Sequence, residues 1–73
     1  MEDQQIIDIF RRNNLKVTTQ RLLITQYILS HKDHPSAEEI YNELKEEFPT
    51  ISLATVYKTL NLLTKLGIIQ ELG

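Results

Sequence analysis

Apolar residues recur along this chain at helical spacing, and short local signals separate one run from the next. Ile6, Ile7 and Phe10 predict a first helix over about 3–13 with these side chains inward. Arg11 and Arg12 then fall near its C-terminus, where cations suit the helix dipole. Asn13 and Asn14 end it, because Asn tolerates the left-handed backbone of a C-cap. Thr18 predicts the N-cap of a second helix that runs to about Ser30, with Leu23, Ile24, Tyr27 and Ile28 as core. Ser36 followed by Glu39 is a capping box, and Glu38 adds negative charge to the first turn of a third helix. Ala37, Ile40, Tyr41 and Leu44 give that helix one buried face, and Pro49 blocks its continuation. Only Pro49, Thr50 and Ile51 are then left to separate it from a fourth helix, opened by Ser52 and closed by Gly67. Val56, Leu60 and Leu63 form the apolar stripe of this last helix.

After Gly67 the run Ile68–Leu72 has no helix cap and predicts a strand. A single strand cannot satisfy its own backbone groups, so the expectation is a fragment cut inside a hairpin. Two helices joined by so short a turn predict a helix-turn-helix. The order helix, helix, short turn, longer helix is that of a DNA reader whose last helix enters the major groove.

Composition narrows the function classes. Seventy-three residues make one small domain of marginal stability. The chain has no cysteine, which removes disulfides, thiolate zinc sites and cysteine nucleophiles and fits a reducing cytoplasm. No apolar run approaches the roughly 20 residues of a membrane span, and the acidic start MEDQQ does not resemble a targeting leader. The expected location is therefore cytoplasmic, with no membrane partner. A Gly-rich phosphate loop and a His–carboxylate arrangement are both lacking, so no enzyme is expected.

The net charge of −2 argues mildly against a nucleic-acid partner, but the charge is unevenly spread. Residues 9–32 sum to +5, residues 33–47 to −5, and residues 48–70 to +2. This distribution predicts a basic face and an opposite acidic one. The fourth helix carries a second stripe of Ala54, Tyr57, Lys58, Asn61 and Lys65, with no acid between 48 and 70. Ordinary solvated faces mix both signs. A small, polar, basic face suits a polyanion.

The blocks LKVTTQR (15–21), HPSAEEIY (34–41) and ISLATVYKTLNLL (51–63), in this order and spacing, resemble the N-terminal domain of ferric uptake regulator family repressors. The resemblance covers nearly the whole chain. It implies a mainly α winged helix-turn-helix of four helices, here with only the first strand of a truncated wing. Residues 1–73 would then be the DNA-binding domain, without the second wing strand, hinge and dimerisation domain. The implied function is sequence-specific DNA binding by one arm of a metal- or peroxide-responsive repressor.

For individual residues the resemblance adds to a plainer reading. Tyr57 lies at the border of the core and is either half-buried or a ring that meets a thymine methyl, as the family's ATVYK segment implies. Lys58 is a surface lysine or, where the family often has Arg, a contact to guanine or phosphate. Ala54 permits close approach to base edges, Thr55 and Ser52 offer hydroxyls to phosphate, and Asn61 is either a DNA contact or solvated. Lys16 matches a family lysine that enters an A·T-rich minor groove, and its alternative is a loop lysine without a fixed partner. Gln20 and Arg21 resemble a family QR pair. Arg21 either contacts phosphate or pairs with an acid in the third or first helix. His34 is either a solvated loop histidine or, as the family implies, one ligand of a regulatory metal in the full-length parent.

The expected partner is double-stranded DNA carrying an A·T-rich palindromic operator. The parent would be a homodimer that binds a divalent metal (Fe, Mn or Zn). The 73-residue fragment would be mainly monomeric, with no cofactor bound. The competing expectation is a winged-helix protein-interaction module, which the acidic third helix would suit.

Overall fold

In the computed structural model, residues 2–31 and 33–70 are described. Four helices follow one another: α1 (Asp3–Arg12), α2 (Thr19–Ser30), α3 (Ala37–Leu44) and α4 (Leu53–Lys65). The start signals act as the sequence implies. Thr18 Oγ1 accepts the Arg21 N–H at 3.1 Å, and Ser52 Oγ accepts the Thr55 N–H at 3.1 Å. Ser36 and Glu39 close a reciprocal capping box at 3.2 and 3.3 Å.

Two helices end in the same device. Asn14 and Gly67 both take left-handed backbone, with φ of 59° and 74°. Past α1, the N–H groups of Asn14 and Leu15 return to the carbonyls of Arg11 and Phe10 at 3.0 and 2.9 Å. Past α4, Gly67 and Ile68 return to Thr64 and Leu63 at 3.1 and 3.0 Å. These are Schellman closures, which satisfy carbonyls that the helix leaves orphaned.

No heavy atom beyond the neighbouring residues would lie within 4 Å of a Cβ built on Gly67. The cost of Gly67→Ala is therefore backbone strain alone, about 1–2 kcal/mol for a left-handed alanine. Urea unfolding should show this loss, with Gly67→Asn recovering part of it.

The strand expected over residues 68–72 is not formed at 68–70. Ile68 and Ile69 form a bend, and residues 71–73 lie outside the described part. The reason is local competition. The Leu63 carbonyl receives the N–H groups of both Ile68 and Ile69, while their side chains pack beside Leu63 on the core. Among the described residues there is no strand to offer a ladder instead.

A second departure concerns α3, which ends at Leu44, well before Pro49. Glu43, Glu46 and Glu47 crowd acids at its C-terminal end, where the dipole is already negative. Residues 45–47 continue as turns, and the Phe48 N–H closes onto the Leu44 carbonyl at 2.8 Å. The link between α3 and α4 is longer than three residues. The pair is still a helix-turn-helix.

The core lies in two joined parts. Ile24, Ala37, Ile40, Ile51 and Val56 fill the space between α2, α3 and α4. Ile6, Phe10 and Leu63 seal α1 against the far end of α4, and Ile28 packs on both parts. Ile7, Leu23, Tyr27, Ile28, Tyr41, Leu44 and Leu60, expected inside, are only half-buried. Thr25 and Thr59 are buried in their place. Each hydroxyl donates one turn back, to the Arg21 carbonyl at 2.7 Å and the Thr55 carbonyl at 2.8 Å. That bond removes the penalty of a buried polar group.

Candidate nucleic-acid interface

The loop between α1 and α2 brings Lys16 close to the first turn of α2, and α4 packs against both. Lys16, Thr18, Thr19, Gln20, Arg21, Thr55, Lys58 and Thr59 line one cleft of about 540 Å³ between them. Five residues singled out from the sequence thus meet in one place: Lys16, Gln20, Arg21, Thr55 and Lys58. Three cations and four threonines line the cleft, and no acidic residue does. A negatively charged, hydrogen-bond-accepting group fits that lining.

Arg21 resolves its own puzzle. A cation in the first turn of a helix opposes the dipole. Its guanidinium instead donates to the Lys16 carbonyl at 2.7 Å and ties the loop to α2. Of the two alternatives, phosphate or an acid of α1 or α3, the second gives way to this backbone contact. One guanidinium nitrogen is spent on it, and the planar fork retains further donors.

Along α4 the stripe is as open as its composition suggests. Ala54, Tyr57, Lys58, Asn61 and Lys65 are all exposed. Ser52 is occupied as the N-cap and also shares a proton with Thr55 Oγ1 at 2.9 Å, so its hydroxyl is partly committed. Tyr57 is 45% exposed rather than half-buried. Its hydroxyl donates to a Glu38 carboxylate oxygen on α3. That bond holds the Tyr57 phenol above its usual pKa and the Glu38 carboxyl below the usual carboxylate range. The basic and acidic surfaces are therefore not cleanly separated. Glu38 brings an acid against a helix that has none of its own.

On the other side of α4, Tyr57 and Asn61 border a larger apolar cleft of about 630 Å³ with His31, His34 and Ile68. His34 is exposed and takes left-handed backbone with φ of 51°. His31 does not support it as a metal donor. Its ring stacks on Tyr27 with centroids 3.9 Å apart, and its Nδ1 lies 2.7 Å from the Tyr27 carbonyl. Among the described residues no three His, Cys, Asp or Glu side chains gather where a metal would be held. The donor set present here does not fit a metal by itself.

The sequence signals missed Thr19 and Thr59 of the cleft, the place of Thr18 there, and the role of Glu38. The Thr18 and Thr19 hydroxyls sit in a block already quoted, LKVTTQR, but a threonine carries little signal until the fold turns it inward. Glu38 was legible only as a first-turn acid.

Comparison with known proteins agrees with this geometry. The ferric uptake regulator family profile matches residues 12–73. The chain belongs to that family. It is 39% identical over 71 residues to the peroxide-responsive repressor PerR of Staphylococcus aureus, covering 97% of this chain and 48% of that protein. The PerR of Staphylococcus epidermidis is equally similar, at 39% identity, 97% and 47% coverage.

Among solved structures, one described as GAS PerR-Zn-Zn superposes with a TM-score of 0.89 at 35% identity, covering 97% of this chain and 45% of that one. PerR from Streptococcus pyogenes, solved for peroxide sensing and gene regulation, gives 0.88 at 35% identity, with 97% and 48% covered. The chain spans about half the length of the curated relatives it matches. As a ferric uptake regulator family domain it is mainly helical, and among its described residues no helix is long and apolar enough to cross a membrane.

Proposed function

We propose that this chain is the DNA-reading arm of a metal- or peroxide-responsive transcriptional repressor. The observation that supports the reading is the cleft lined by Lys16, Arg21 and Lys58 together with threonines and no acidic residue. A phosphate backbone lying in this cleft would set α4 against the major groove, with Ala54, Tyr57, Lys58 and Asn61 toward the base edges. Lys16, on the loop, would reach the adjacent minor groove. Gln20, Arg21, Ser52 and Thr55 serve phosphate and register. Family membership and the names of its PerR relatives support the regulatory part.

In a protein as long as its relatives, the domain would act as one half of a homodimer on a palindromic A·T-rich site. His34 would contribute one ligand to a divalent metal there, with the other ligands supplied from outside the described residues. The limits of the DNA-binding domain at residues 1–73 belong to the same reading.

Titration of an A·T-rich palindromic duplex at several salt concentrations tests it. Neutralised phosphates release counterions, so log K must fall linearly with log salt. Lys58→Ala should weaken binding to operator-like and random duplexes alike and reduce the slope by about one. Tyr57→Ala should instead cost about 1–3 kcal/mol on the operator-like duplex and little on random DNA.

A second reading has its own observation. Glu38, Glu39 and Glu43 give α3 an exposed acidic surface that a basic protein partner would fit. Absence of duplex binding at any of these salt concentrations would favour this protein-interaction module over the DNA arm.

A further inference from the structure

The Tyr57–Glu38 bond joins the fourth helix to the start of the third across 19 positions of sequence. Neither partner needs the other for local reasons. Glu39, not Glu38, closes the capping box of α3 with Ser36. Glu38 is thus free to turn its carboxylate toward α4. Tyr57 is exposed, and an exposed phenol could satisfy its hydroxyl with water. The bond must therefore be judged by what it does to the surface that α4 offers.

A phenol has one proton to donate. With that proton held by Glu38, the Tyr57 hydroxyl has none left for a phosphate oxygen, and the adjacent carboxylate repels phosphate as well. The part of Tyr57 left open is carbon: the ring, 45% exposed in the middle of the basic stripe. In the major groove the apolar feature of a base pair is the 5-methyl group of thymine. Fixing the ring before contact also reduces the side-chain freedom lost on binding.

We propose that Glu38 is a positioning residue for base readout, converting Tyr57 from a phosphate donor into an apolar reader of thymine methyl groups. This rests on the DNA-reading assignment above. Glu38 never touches the DNA in this scheme, and it acts only through the phenol hydroxyl. It sets specificity by removing one option from Tyr57 and aiming what remains.

The test uses an A·T-rich palindromic duplex and the same duplex with deoxyuridine in place of thymidine, which deletes only the methyl groups. The 73-residue chain should prefer the thymine duplex by about fourfold for each methyl it buries. Tyr57→Ala, which removes the ring, should bring that ratio to one, Glu38→Ala should bring it toward one, and the double variant should go no further than Tyr57→Ala alone. Loss of the Glu38 charge alters affinity for both duplexes together, so it cancels in the ratio.

An unchanged ratio in Glu38→Ala, or losses that add in the double variant, would overturn the proposal. So would salt-dependent binding by the parent chain with no thymine preference, although the DNA-reading assignment would survive that result. Absence of salt-dependent binding to either duplex would remove both. Without DNA, the ring resonances of Tyr57 should shift on Glu38→Ala in a chain whose helicity is unchanged; constant resonances would also refute the proposal.

Discussion

Phe10→Ala should lower the thermal midpoint of this domain by on the order of 20 °C. Phe10 is fully buried, and it seals α1 against Leu63 of α4 together with Ile6. Truncating a buried phenylalanine costs about 3–5 kcal/mol, from lost transfer energy and the cavity left behind. A domain of this size has only about 4–11 kcal/mol to lose. Each kcal/mol shifts the midpoint of so small a domain by about 4–8 °C.

The site leaves little room for repair, because the same residue's carbonyl receives the Leu15 N–H that closes α1. Collapse of the helix into the cavity would pull on that closure and on the loop that follows it to Lys16. Calorimetry checks the prediction, with Ile7→Ala as the control. Ile7 is a neighbour on the same helix but only half-buried, so it should lose much less. Equal losses would mean that α1 does not pack on α4 as described.

The same residues show what the sequence could and could not disclose. Helix starts were legible because a cap is a local event. Ser36 and Glu39 are three residues apart, and nothing elsewhere in the fold is needed for them to bond. The end of α1 was legible for the same reason, since Asn14 alone carries the left-handed turn. The end of α3 was misjudged, because Pro49 states where a helix must stop but not where it does. Acids at Glu43, Glu46 and Glu47 weaken the last turn before the proline is reached.

The strand at 68–70 failed for another reason. A β-rich run needs a ladder, while the Leu63 carbonyl and an apolar bed were already in reach. The candidate site divides in the same way. Lys16, Gln20, Arg21, Thr55 and Lys58 were each flagged, but their convergence in one cleft depends on how α2 packs on α4. For Arg21 the sequence left phosphate or an acid open, and its guanidinium takes the Lys16 carbonyl. Nothing local in ATVYK announces that Tyr57 will meet Glu38, because that contact depends on the packing of α3 against α4.

Joining two copies of the chain should raise affinity for a palindromic A·T-rich duplex by about 10²–10⁴ over one copy, provided the linker spans the site. Under the DNA-reading assignment, a single arm has one cleft of three cations. Its affinity should lie near the micromolar range of ordinary non-specific binding at physiological salt, about 10⁻⁴–10⁻⁶ M. Half-sites read from one side of the duplex lie about 34–36 Å apart, one helical turn. A Gly/Ser linker of about 40 residues has a typical end-to-end distance of about 35 Å, which matches that span. The second arm then binds at an effective concentration in the millimolar range rather than as an independent event.

A linker of about five residues reaches at most about 17 Å, so it should forfeit most of the gain. Shortening the duplex to one half-site should abolish the gain for either linker. Lys58→Ala placed in both arms should lower the salt slope by about two, one for each lost phosphate contact. A gain that ignored linker length and duplex length would point to association of the copies with each other. Two arms bound side by side on one duplex require both dependences.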